Sequence, residues 1–454
     1  MTRATGRPVT ALAALLLLLA AAPAPASAEE STPRHLEGTL PSGATYVIDT
    51  PARWNGTVLL FSHGYRPEGT PNPAVNAPDE PTRKLLLKEG YALVGSSYAK
   101  NGWAVEQAVP DQLAALDTFT GKVGAARRTL AWGQSLGGLV TTTIAERHPR
   151  RIDGSLSLCG LVHGGVANWN STLDATFALR TLLAPGSGIR LTGFRDTADA
   201  TASGNRLGAA MEAAQRTAPG RARIALAAAL HAIPGWNDPA TPRPAPDDHA
   251  SRQANQYTAL RGLVARPGFV WRAEAERRAG GTMSWNTGVD YTAMLARSAA
   301  YRQVKSLYKA AGLSLGADLR ALAGEPRVGA DPGAVRYMVD HAAPSGLLRK
   351  PQLDVHTTGD ALVPAEVESA YRRAVNRAGR APLLRQAYTD NAGHCTFSPA
   401  EQLGALHTVE HRVATGSWGD TSPAALNSRA RDADPATPAR YTPYRPGPYP
   451  RPFS

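Results

Sequence analysis

The sequence predicts an α/β fold: a doubly wound, mostly parallel sheet interrupted by a large inserted helical cap. Three observations predict it. Apolar runs of strand length alternate with helical periodicity from Thr57 to Cys159. From about Leu161 to Leu348 the alternation stops, and helical patterns dominate. It returns with Leu353 to Thr357, a helical stretch near Ala365 to Ala378, and Leu383 to Tyr388.

The elements follow in order. Thr45 to Ile48 lies between turn-rich Leu40 to Gly43 and Pro51 to Gly56, and reads as an edge strand or hairpin. Thr57 to Phe61 is continuously apolar, as a strand buried on both faces must be, and it ends at Ser62-His63-Gly64. A Pro-rich loop (Arg66 to Pro81), a short helix (Leu85 to Glu89) and a strand (Tyr91 to Gly95) come next. Val105, Val109, Leu113, Leu116 and Phe119 recur at helical spacing. Leu130 to Trp132 is a short strand. Leu139, Val140 and Ile144 mark a helix that stops at Pro149, and Ser155 to Cys159 is another buried strand. In the inserted segment Ala222 to Ile233 is the clearest helix, and Asn237 to Pro246 is a Pro-rich break. Ser398-Pro399-Ala400-Glu401 combines an N-cap serine, proline in the first helical position and glutamate in the third, which starts a helix running to about Thr415. Beyond Asp420 the chain is rich in Pro, Arg and Ala and is expected to be an extended or disordered tail. The resulting division is 29–160 with 349–419 for the sheet domain, 161–348 for the helical cap, and 420–454 for the tail.

Residues 1–28 read as an export signal. Arg3 and Arg7 supply a positive start, Val9 to Ala22 an apolar stretch, and Ala26-Ser27-Ala28 a cleavage site. A secreted, extracellular protein beginning at Glu29 is therefore expected. The apolar stretch is too short and alanine-rich for a membrane span, so no stable membrane anchor is expected. The formal charge is +12, and losing two arginines and no acids with the leader leaves +10. The basic residues, 42 Arg against 7 Lys, are scattered in runs of no more than two. Nucleic-acid binders cluster such charge in a stripe with aromatics, so no nucleic-acid partner is expected. Two cysteines, Cys159 and Cys395, cannot by themselves make a structural zinc site, and the chain calls for no metal or cofactor. The oligomeric state is left open.

The chemistry begins at Gly133-Gln134-Ser135-Leu136-Gly137, between a strand and a helix. A serine between two glycines on such a turn is pushed into a strained backbone geometry with its hydroxyl exposed, and the glycines avoid the collisions of so tight a bend. Alone the pentapeptide is a weak signal. A serine hydroxyl also needs a base, and the base needs an acid to orient it. Asp360, in the loop after the strand ending at Thr357, and His394, in the loop after Tyr388, supply them in the order Ser, Asp, His. All three then sit at the carboxyl ends of strands, where open α/β sheets bind ligands. Asp354 lies within a strand and Asp390 too near His394 in sequence. His148, His407 and His411 lie on or at the ends of helices. Backbone amides of Leu136 and Tyr65 are the candidate oxyanion donors, with His63 shaping the Tyr65 loop.

These motifs together resemble the α/β-hydrolase superfamily, over roughly Gly56 to Gly160 and Gln352 to Trp418. Within it the chain resembles secreted, lidded tannase/feruloyl-esterase-like enzymes, which carry a large lid in the same place and a cysteine directly after the catalytic histidine, as in His394-Cys395. In that family the partner cysteine directly precedes the nucleophile. Here Gln134 stands there, and Cys159 is the remaining candidate partner; a Cys159–Cys395 disulfide and two free thiols are both open. Trp103 and Gln134 are the candidate substrate-binding residues. The cap aromatics Trp169, Trp236, Trp271, Trp285, Tyr257, Tyr291, Tyr301 and Tyr308 are either an acyl-pocket lining or ordinary packing. The leading expectation is a secreted serine hydrolase cleaving carboxylic esters, aromatic ones among them, of small-molecule or polymer substrates. An amidase or peptidase with the same triad, and a lidded binding protein with an idle triad, are the alternatives.

Overall fold

The computed structural model describes residues 1–6 and 32–453. The expected leader falls almost wholly outside the described residues. Among those described, no helix is long and apolar enough to cross a membrane.

One eight-stranded sheet organises the chain. Its strands are β1 (Arg34–Thr39), β2 (Thr45–Thr50), β3 (Thr57–Ser62), β4 (Ala92–Ser96), β5 (Arg128–Gln134), β6 (Gly154–Leu158), β7 (Gln352–Gly359) and β8 (Leu384–Ala392), ordered β1-β2-β4-β3-β5-β6-β7-β8. β1, β2 and β4 pair antiparallel, and every pair from β4 through β3 to β8 is parallel. Across the centre Phe61 pairs with Trp132, which pairs with Leu156. The parallel strands read as continuous apolar runs because both faces are covered. Val58, Leu60 and Ala131 pack into one core, and Leu59, Phe61, Leu130 and Trp132 into the other.

Between β6 and β7 the chain is helical from Gly165 to Ala342. This insertion has its own core, including Phe177, Leu226, Leu260, Phe269 and Tyr308. Having its own buried core explains why it shows helical periodicity with no link to the sheet pattern. β1 is an edge strand that the sequence reading did not separate from its neighbour.

The tail differs from expectation. Ser422 caps a helix over Pro423–Ala433, and the following segment is an ordered strap. It lies along the open edge of β8, where Tyr441 bridges Thr389 and the Asp390 amide donates to the Arg440 carbonyl. It then runs to the cap. The Tyr449 amide donates to Ser369 Oγ at 3.1 Å. Arg451 donates to both carboxylate oxygens of buried Asp174 at 3.0 Å, and Phe453 packs edge-on to Trp285. Composition suggested an extended or disordered tail; the segment after Ala433 is extended but ordered, since tyrosines at 441 and 449 bury their rings and prolines lower the entropy lost on ordering.

Candidate active site

Ser135 sits between β5 and the helix Leu136–Arg147 with φ +58° and ψ −122°, a conformation that favours glycine and persists here because its surroundings fix it. The Ser135 amide donates to the Leu158 carbonyl at 3.0 Å. A Cβ on Gly133 would lie 2.5 Å from the Gly137 carbonyl oxygen, and one on Gly137 would collide with the Ser62 carbonyl. Both flanking positions therefore accept only glycine.

The three candidates meet. Ser135 Oγ lies 2.7 Å from His394 Nε2, and His394 Nδ1 lies 2.6 Å from Asp360 Oδ2. Asp360 is fully buried, and its Oδ1 accepts from the Leu362 and Val363 amides at 2.9 Å. Burial alone would raise this carboxyl, but His394 and His356 outweigh it and bring it down to about 2. The competing acids are engaged elsewhere: Asp354 accepts from Gln352, and Asp390 pairs with Arg243.

Sequence reasoning missed His356 and Glu368 behind Asp360. His356 is fully buried in β7. Its Nδ1 donates to Glu368 at 2.9 Å and its Nε2 to the Val363 carbonyl at 2.7 Å, with Asp360 Oδ2 3.6 Å away. Two donating nitrogens define an imidazolium. Burial opposes the charge, but Asp360 and Glu368 overcome it and hold the group up at about 10. A histidine inside an apolar strand was the available signal. The raised pKa stabilises the fold fully below the unfolded value of about 6.5, and that contribution is lost as pH rises through about 10. The urea midpoint of the native protein should therefore fall more between pH 7 and 10 than that of His356→Gln; equal slopes would count against a charged His356.

The Tyr65 loop approaches closely: a Cβ on Gly64 would lie 3.3 Å from Ser135 Cβ. His63 holds this loop, its ring lying 2.7 Å from the Gly64 carbonyl and 3.0 Å from that of Ser97, and stacked on Tyr98. Burial, with Arg66 nearby, pushes it down to about 4. Leu136 occupies the first position of its helix, where an amide has no intrahelical acceptor. Cys159 and Cys395 form a disulfide with Cα atoms 5.4 Å apart, fixing the end of β6 to the residue after His394.

A cavity of about 270 Å³ opens on Ser135 and His394. The core supplies Tyr65, Trp103, Gln134 and Leu136 to it, and the cap supplies Trp169, His231 and Trp271 among others. Trp271 sits in a short π-helical turn, Pro267–Trp271, a feature frequent at functional sites, and packs on Tyr65 with ring centres 4.4 Å apart. A second lobe of about 300 Å³ shares His394 and Trp271 and reaches Asn237 and Arg266. The other cap aromatics serve elsewhere. Trp236 lines a separate cavity, Trp285 meets Phe453, Tyr291 and Tyr308 belong to the cap core with Tyr257 packed against it, and Tyr301 is exposed. His231 was not singled out in the sequence, since the end of an alanine-rich helix carries no chemical motif.

Fold and site together define a serine hydrolase of the α/β-hydrolase superfamily. No family model matches the chain. The o-phthalyl amidase of Xanthobacter agilis is 31% identical over 434 residues, covering 89% of this chain and 92% of that protein. The chain belongs to the family of that amidase. Among solved structures it is similar to feruloyl esterase B of Aspergillus oryzae, at 15% identity and TM-score 0.38 over 84% of this chain and 80% of that one. The acylaminoacyl peptidase of Pyrococcus horikoshii is similar at 10% identity and TM-score 0.37 over 84% of this chain; the match spans only 41% of the peptidase.

Proposed function

We propose that this protein is an exported hydrolase that cleaves amides and esters of aromatic acids through an acyl-enzyme on Ser135. The observation that carries the reading is the hydrogen-bonded chain Ser135–His394–Asp360 opening on an aromatic-walled cavity. Ser135 Oγ attacks the acyl carbon while its proton passes to His394 Nε2. The C–N or C–O bond breaks, and His394 returns that proton to the departing amine or alcohol. Water then attacks the acyl carbon, gives a proton to His394, and releases the acid as Ser135 regains its hydroxyl proton. Asp360 orients the imidazole and stabilises its charged form. The Leu136 and Tyr65 amides hold the oxyanion. Tyr65, Trp103, Trp169 and Trp271 suit a flat acyl group. Amide cleavage is favoured by the amidase relative, which moves the reading beyond esters alone. The leader and the disulfide both support export to an oxidising compartment.

The test is a fluorophosphonate probe on the purified protein, with the adduct located by mass spectrometry. Labelling at Ser135, together with turnover of benzoyl anilides or aryl benzoates, is expected. An unlabelled, correctly folded protein would point to the binding-protein alternative. Export is checked by N-terminal sequencing from the culture medium, with Glu29 expected first.

A further inference from the structure

One acidic oxygen serves two histidines. Asp360 Oδ2 lies 2.6 Å from His394 Nδ1 and 3.6 Å from His356 Nε2. The first contact is the triad hydrogen bond. The second is too long for one, but both side chains are fully buried, so a charge on His356 acts strongly on that oxygen. His356 is braced on its far side. Its Nδ1 donates to Glu368 Oε1 at 2.9 Å, and Gln386 donates to the other oxygen of that carboxylate at 2.8 Å. Val363 ties the two acceptors together: its carbonyl accepts from His356 Nε2 while its amide donates to Asp360 Oδ1.

The other titratable groups around this ring set the balance of charge. Asp354 lies two residues before it on β7, on the same face, and burial, with Glu368 beside it, holds this acid up. Glu366 lies just before the helix Val367–Arg377, and burial pushes it up to about 7. On that helix the Tyr371 hydroxyl donates to Glu146 at 2.9 Å, and Arg372 donates to Gln386 at 3.3 Å. On β8 Tyr388 pairs with His356 in register, and burial raises its hydroxyl. After β6, burial pushes His163 down to about 3, with His231 and His356 adding to the effect. Asp360 and Glu368 are therefore the two carboxylates that share the charge of His356. When His394 takes the proton of Ser135, a second cation forms against the same Oδ2. A like charge nearby disfavours it.

We propose that His356, braced by Glu368, is a positioning residue that extends the triad inward: its standing charge shares Asp360 with His394 and keeps His394 a free base at lower pH than Asp360 alone would. No proton leaves His356 during the cycle; it acts on Ser135 only through Asp360 and His394. The catalytic meaning rests on the hydrolase reading above, but the electrostatic content can be measured without turnover. In the Ser135→Ala protein the ring-carbon NMR shifts of His394 are followed over a pH series. Adding His356→Gln should move the His394 midpoint upward by about one pH unit. With Ser135 in place, the acidic limb of kcat/KM for benzanilide, a substrate that does not titrate, should move by the same amount. A purely structural role would lower kcat at every pH and leave the limb where it was. An unmoved midpoint would overturn the proposal, and so would ring-nitrogen shifts showing a neutral His356 in the wild-type protein near pH 8. If His356→Gln does not fold because Glu368 is left unpaired, the double variant His356→Gln with Glu368→Gln removes the buried pair together and should give the same upward shift. The wild-type nitrogen shifts need no variant at all. Failure of the hydrolase reading would show separately, as absent fluorophosphonate labelling with the NMR shift intact.

Discussion

Ser135→Ala is expected to lower kcat for any ester or amide substrate by at least about 10⁴-fold, close to the rate left by binding and the oxyanion donors alone. The protein should remain folded. Alanine adopts the left-handed backbone of residue 135 no less readily than serine, and the Ser135 amide keeps its bond to Leu158. The substitution removes one oxygen, and that oxygen is the atom 2.7 Å from His394. The measurement is initial rate on an aryl benzoate with a thermal melt on the same sample. An unchanged melt with lost turnover fits the assignment. Retained turnover would place the nucleophile elsewhere.

Asp360→Asn should cost about 10⁴-fold in kcat with far less change in KM. Asparagine fits the space, but it lacks the charge that fixes which His394 nitrogen bears the proton. With Nδ1 facing an amide, the ring can turn its proton toward Ser135 and lose its capacity as a base. The substitution also removes one of the two carboxylates around His356. Glu368 remains 2.9 Å from that ring, so the fold should survive with a lower melting temperature. Kinetics over a pH series check this: a large kcat loss that hydroxide partly restores at high pH is expected. A loss below about tenfold would remove Asp360 from the triad.

The strands of the parallel sheet and the Ser135, Asp360 and His394 sites were legible because each rests on a local rule. A strand buried on both faces must be a continuous apolar run, and a turn as tight as that at Ser135 must carry glycines at 133 and 137. Trp103 was legible for a similar reason, since a loop at the carboxyl end of β4 had to face the site. The inner cavity was not. Trp169, His231 and Trp271 reach it through packing between cap helices that are distant in sequence, and no spacing rule links them. Trp236 shows the other outcome left open for the cap aromatics: it packs against Arg243 in another cavity. The helix and the order of the tail were not legible because composition averages over a segment, whereas Tyr441, Tyr449 and Arg451 act one by one.

The strap has a consequence for how the molecule comes into being. Residues 441–453 are synthesised after every element they hold. Until they arrive, the carboxylate of Asp174 lacks the arginine that it pairs with in the finished fold, and the outer edge of β8 has no cover. A nascent chain can therefore join its sheet to its helical insertion through contacts such as the Trp103 amide on Glu274 before this last fastening is in place. The strap therefore comes last among the elements it joins, a fastening laid over a scaffold already made.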